Sequence, residues 1–92
     1  MKKVYIAGKI SGEKDFKNIF KQAETQLVEK GYKVMNPAEL PKGFDYEDYM
    51  KVCFSMIDVC EEIHFLPNWK ESPGANREYN YGLATGKELK FI

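Results

Sequence analysis

Short apolar runs ending in glycine, proline or asparagine alternate along this chain with longer segments whose apolar residues recur every three or four positions. That alternation constrains the fold more than any other feature. The run "KKVYIAG" is β-branched and aromatic-rich and predicts a strand ending at Gly8. From Asp15 to Lys30, Phe16, Ile19, Phe20, Ala23, Leu27 and Val28 form one apolar stripe, and Gly31 supplies a helix stop. "YKVMNP" predicts a second strand closed by Asn36-Pro37, and "AELPKGFDYED" a loop. Tyr49, Val52, Cys53, Met56, Ile57 and Cys60 then repeat at helical spacing over about residues 46–60. "EIHFLP" predicts a third strand and "ELKFI" a last one. Between them, "SPGANREYNYGLATGK" predicts a third helix with Ser72 as N-cap and Pro73 at its first position.

Strand and helix in strict alternation predict an α/β fold: a small three-layer, Rossmann-like or flavodoxin-like domain with a mainly parallel sheet of about four strands. Ninety-two residues fit a single domain spanning 1–92. A chain this short buries only about 60–65% of its unfolded surface, so burial against a second copy, as a homodimer or higher homo-oligomer, is expected. Ligands of such sheets bind beyond the carboxyl ends of the strands. The loops in that position are Gly8–Glu13, Asn36–Tyr46 and Pro67–Gly74, where Gly, Pro, Asn and Ser concentrate.

Charge narrows the partners. Fourteen basic residues balance fourteen acidic ones, which argues against a nucleic-acid polymer, since such binding needs a basic surface to displace counterions. No apolar run approaches a membrane span, and the N-terminal run alternates like a strand rather than a signal peptide. Cys53 and Cys60 are seven residues apart. On a helix that separates them by about 10.5 Å, beyond disulfide reach, so free thiols and a cytoplasmic location are expected. One His and two spaced Cys do not make a zinc site, and neither a metal nor another cofactor is expected.

Two segments carry the chemistry. In "AGKISG", Gly8 and Gly12 flank Lys9, Ile10 and Ser11 between the first strand and first helix. Such a turn lets backbone N–H groups approach an anion, with Lys9 and Ser11 as extra donors; an ordinary tight turn has the same composition. The second is Ser72, Gly74 and Glu78 in a Ser-x-Gly-x-x-x-Glu array. Ser72 and the amides after Gly74 form an anion-receptive corner, and Glu78, six residues after Ser72, can aim into a pocket. A positioned carboxylate there can attack an anomeric carbon and hold a covalent glycosyl intermediate. On spacing alone, a solvated Glu favoured by the helix dipole is the simpler reading.

"YIAGKISG", "NPAEL" and "LPNWKESPGANREYNYGLATGKELKFI" together resemble the nucleoside 2-deoxyribosyltransferase-like superfamily, in order and over essentially the whole chain. The likeness is strongest to a small phage and bacterial branch of unknown function, and extends to 2'-deoxynucleoside 5'-phosphate N-hydrolases. It implies hydrolysis or transfer at the N-glycosidic bond of a nucleoside or nucleotide, with Glu78 as nucleophile at C1'. Ser72 and the Gly74 amide region would hold the 5'-phosphate or sugar. Tyr5 and the Gly8–Gly12 loop would border sugar and base, and Asn36 of "NPAEL" would belong to the substrate side. In this superfamily a neighbouring subunit often completes the pocket.

One position departs from the pattern. The family's aspartate, eight residues ahead of the position opening the third strand, is Cys53 when Glu61 is taken as that opening. The aspartate's role is to assist departure of the base. Asp48 and Asp58 lie five residues to either side, about 140° off that helix face; Asp45, Glu47 and Asp48 at the helix start are the other acids within reach. Without the aspartate, the alternative is a non-catalytic nucleotide-binding protein of the same fold. Cys53 itself sits on the apolar stripe, as a small buried hydrophobe does. Trp69 fits either base stacking or a dimer interface. His64 alternates with Ile63 and Phe65 and reads as structural, and Lys14, Lys17 and Lys21 read as a solvated helix face.

Overall fold

A computed structural model describes residues 1–92. Four strands, β1 (Lys3–Ala7), β2 (Lys33–Met35), β3 (Glu62–Phe65) and β4 (Glu88–Phe91), alternate with three helices, α1 (Phe16–Glu29), α2 (Tyr46–Asp58) and α3 (Pro73–Ala84). The sheet is wholly parallel with order β2-β1-β3-β4, the expected α/β architecture. Two single 3₁₀ turns, Pro37–Glu39 and Trp69–Glu71, occupy segments the sequence reading left irregular. Asn36 caps the first, its Oδ1 accepting the Ala38 N–H at 2.9 Å.

Alternation along β1 assigns one layer to each face of the sheet. Val4 and Ile6 pack with Phe20, Ala23 and Leu27 of α1 on one side. Tyr5 and Ala7 pack with Cys53 and Ile57 of α2, Ala75 of α3, and Ile63 and Phe65 of β3 on the other. The chain leaves β1 toward β2 on one flank, then returns past it to β3. That reversal opens a crevice between the β1 and β3 loops, where open α/β sheets take ligands.

Close backbone approach keeps the crevice ordered. The Leu66 N–H donates to the Ala7 carbonyl at 2.8 Å, and a Cβ on Gly8 would fall 2.6 Å from Leu66 Cδ1. The loops after β1 and β3 therefore run side by side only with glycine at position 8. On α3, Ala75, Glu78 and Gly82 form the buried line. A Cβ at Gly82 would lie 2.7 Å from Ile63 Cδ1 and 2.9 Å from Leu89 Cδ2, so the missing side chain lets α3 settle onto β3 and β4. One turn earlier, the same approach brings Glu78 over β1.

Candidate active site

A cavity of about 260 Å³ opens beyond the strand ends, between the β1 loop, the segment after β2, α2 and the start of α3. Of the residues singled out from the sequence, Tyr5, Gly8, Ile10, Ser11, Ser72 and Gly74 line it together with Glu78. Ser72 caps α3 as expected, its Oγ accepting the Ala75 N–H at 3.1 Å, with Pro73 at the first helical position.

Glu78 is 5% exposed, and the Tyr5 hydroxyl donates to its Oε2 at 2.6 Å. Burial pushes the Glu78 carboxyl up to about 7, although the Tyr5 hydroxyl and Cys53 thiol pull it back toward ionisation. The same enclosure raises Tyr5 well above the ordinary phenol range, with the Glu78 charge adding to the effect of burial. Cys53 is pushed up to about 11, chiefly by burial, so it stays a thiol at neutral pH. The three groups make a compact proton-sharing cluster whose one carboxyl is poised to titrate near neutrality. A buried carboxylate with a single strong donor keeps lone pairs free for a reacting atom.

Four of the expected residues lie elsewhere. Lys9 ties the β1 loop to the β3 loop: its N–H donates to Asn68 Oδ1 at 3.1 Å and its Nζ reaches Glu71 Oε1 at 3.3 Å. Gly12 makes the left-handed turn before α1, at φ 82°. Asn36 is buried behind the cavity wall, and its Nδ2 donates to Glu24 Oε1 at 2.9 Å. Trp69 faces away from the cavity, stacked on Tyr79 with ring centroids 5.0 Å apart and 19° between planes, and packed against Phe65 and Phe91.

The structure also brings in wall residues that the sequence reading did not pick out. Phe16 and Lys17 come from the start of α1, Lys42 from the loop ahead of α2, and Tyr46, Tyr49 and Met50 from the first turns of α2. Tyr49 pins its loop, donating to the Pro41 carbonyl at 2.7 Å and accepting the Phe44 N–H at 3.3 Å. The acids at the start of α2 are engaged outside the cavity. Asp48 accepts the Asp45 N–H at 3.2 Å, and Glu47 pairs with Arg77 at 2.9 Å. Glu78 is therefore the cavity's one carboxyl group, with Cys53 beside it.

His64 lies on the opposite face of the sheet, 2.7 Å from Glu62 Oε1 and edge-on to Tyr32. Cys53 and Cys60 are both buried free thiols. No group of three or more His, Cys, Asp or Glu is placed to hold a metal ion, and no helix is long and apolar enough to cross a membrane.

Residues 2–91 match the family described as "Domain of unknown function (DUF4406)". The chain belongs to that family. No curated protein matches it in sequence. Among solved structures, it superposes on a 2-desoxiribosyltransferase from Leishmania mexicana with a TM-score of 0.77 at 22% identity. The superposition covers 100% of this chain and 64% of that one, so the DUF4406 chain spans a little under two thirds of its structural neighbour. The likeness establishes the deoxyribosyltransferase-like fold of this DUF4406 protein, in line with the superfamily resemblance; the small phage and bacterial branch stays an expectation from the motifs.

Proposed function

We propose that the protein catalyses hydrolysis or transfer at the N-glycosidic bond of a (deoxy)nucleoside or its 5'-monophosphate, through a glycosyl-enzyme intermediate on Glu78. The observation that carries this reading is the Tyr5–Glu78 pair at the cavity wall, a buried carboxyl held at 2.6 Å by a phenol and titrating near 7. A carboxyl serving only helix stability belongs in solvent near the dipole, not in an enclosed cavity.

In the first step a Glu78 carboxylate oxygen bonds to C1' as the C1'–N bond breaks, and that bond's electron pair leaves with the base, which takes up a proton from solvent water. In the second, water or another base bonds to C1' and gives up a proton to solvent, and the carboxylate departs with the electron pair of its bond to C1'. The donated Tyr5 hydrogen bond orients Glu78 and favours its ionised form. Phe16, Tyr46 and Tyr49 offer aromatic surface to a base. Ser72 and the Gly74 amide, at the start of α3, suit the sugar or its 5'-phosphate.

The second reading, a nucleotide-binding protein without catalysis, draws on Cys53. A thiol at about 11 is a poor proton donor to a departing base, and no second carboxyl lines the cavity.

Chromatographic detection of free base from a panel of deoxynucleosides and 5'-monophosphates separates the two. Release that disappears in Glu78→Ala, with ligand binding retained, supports the enzyme. Binding by thermal shift without any release supports the second reading. Neither release nor binding sinks both.

A further inference from the structure

We propose that the open edge of β4 pairs antiparallel with β4 of a second copy, across a twofold axis through Leu89, joining two four-stranded sheets into one continuous sheet. A short chain favours burial against a second copy without saying where. The sheet order leaves β4 at an edge, and its ladder to β3 fixes which groups face outward. The Glu88 N–H donates to the Glu61 carbonyl at 3.2 Å and the Ile92 N–H to the Phe65 carbonyl at 2.8 Å. Leu89 and Phe91, which alternate with these inward-bonded positions, therefore turn their backbone N–H and C=O groups to the open side. An unpaired strand edge of this kind is a template for another strand.

The charges on β4 choose one register. Glu88 and Lys90 lie on one face of the strand, both exposed, with Oε2 and Nζ 3.3 Å apart. A twofold axis centres antiparallel pairing on a single residue. Centring on Glu88 sets it against the partner's Glu88, and centring on Lys90 sets two ammonium groups together; like charges directly opposite destabilise a sheet. Centring on Phe91 sets Lys90 against the partner's Ile92 and leaves its charge unmatched. Centring on Leu89 sets Glu88 against the partner's Lys90, twice by symmetry. In that register Leu89, an outward-facing residue, also exchanges a pair of N–H···O=C bonds with the partner's Leu89. Charge and backbone hydrogen bonding select the same alignment.

Apolar surface flanks this edge. Phe91 and Leu83 are each 56% exposed. Leu83 follows Tyr79 by about one turn of α3, and Tyr79 packs on Trp69 and Phe91 with ring centroids 5.0 and 6.4 Å apart. This flank of α3 therefore lies along β4. The Lys87 N–H donates to the Gly82 carbonyl at 2.9 Å, which ties the start of β4 to the end of α3. With Phe91 opposite the partner's Lys87, each Phe91 meets the last turn of the other copy's α3, where Leu83 is exposed. An aromatic and aliphatic patch beside matched charges is what a second subunit covers. The cavity lies on the α2 side of α3, and no residue lining it belongs to β4. Pairing leaves both cavities open and is independent of the N-glycosyl reading.

Sedimentation equilibrium tests this on wild type, Glu88→Lys, Lys90→Glu, Leu83→Lys and an equimolar mixture of the two charge variants. Wild type is expected at twice the chain mass. Each charge variant sets like charges opposite across the axis and should weaken association by about tenfold or more. Mixing them sets lysines against glutamates, and heterodimers should form. Leu83→Lys, at an exposed position, should weaken association as well. Lys90 also pairs with the buried Glu62 at 3.6 Å, so circular dichroism checks the fold of Lys90→Glu; if it unfolds, Glu88→Lys and Leu83→Lys carry the test. A wild type that stays monomeric at every concentration overturns the pairing. A dimer unmoved by both Glu88→Lys and Leu83→Lys overturns it too, by placing the second copy on another face. Folded charge variants that remain apart when mixed overturn the register centred on Leu89.

Discussion

The Tyr5 hydroxyl on the first strand donates to Glu78 Oε2 on the last helix at 2.6 Å, across 73 positions of sequence. Because this bond favours the ionised carboxyl, Tyr5→Phe should push Glu78 further toward protonation. The ascending limb of base release against pH, set near 7 in wild type, should move up by about one pH unit, the equivalent of one hydrogen bond to a charged group. A pH–rate series on both proteins measures this; an unmoved limb would separate the tyrosine from the titrating group.

Glu78 also marks the pH dependence of stability. Its folded pKa of about 7 lies above the ordinary 4.5, so between those values the folded state holds more proton than the unfolded one. Stability from this group therefore falls as pH rises from about 4.5 to 7, by a total on the order of 3 kcal/mol. Glu78→Gln should be more stable than wild type at pH 8 and lose that slope in urea unfolding curves. Glu62 acts oppositely. Burial alone would raise it, but the hydrogen bond from His64, that from Lys2 and the charge of Lys90 outweigh this and hold it at about 2. Its contribution is complete above about 4.5 and is lost as pH falls toward 2.

Cys53→Asp places a second carboxyl beside Glu78. If Cys53 occupies the position of a leaving-group acid, base release should rise at least about tenfold, toward the lower range of general acid–base catalysis. Two neighbouring carboxyls also repel, so one of them should titrate higher still. Unchanged release at saturating substrate would break the alignment of Cys53 with that acid.

Gly82→Ala tests how α3 is seated. The added Cβ meets Ile63 Cδ1 at 2.7 Å and Leu89 Cδ2 at 2.9 Å, and relieving that overlap should cost about 1–3 kcal/mol. Since Glu78 lies one turn away on the same buried line, base release should fall together with the urea midpoint.

Periodicity carried the architecture: each strand and helix is specified by the spacing of its own apolar residues, and parallel order follows from their alternation. The Ser72–Gly74–Glu78 array was legible because an N-cap and the helix following it are local. What lay beyond the sequence was which side chains meet across elements. Phe16 and Tyr49 sit on apolar stripes that look like ordinary core, and Lys17 looks like one charge in a solvated row, until α1 and α2 are set against the β1 loop. Trp69 shows the converse. The 3₁₀ turn at Trp69–Glu71 directs its ring onto Tyr79 and Phe91, and no local signal separates that from a position in the cavity.

The most direct measurement is a single-turnover reaction of excess protein with a 2'-deoxynucleoside 5'-monophosphate, quenched in acid and followed by base chromatography and peptide mass analysis. Free base should appear together with a deoxyribosyl phosphate increment on the peptide containing Glu78, both absent from Glu78→Ala. Base released equally by wild type and Glu78→Ala, with no increment on that peptide, would contradict it.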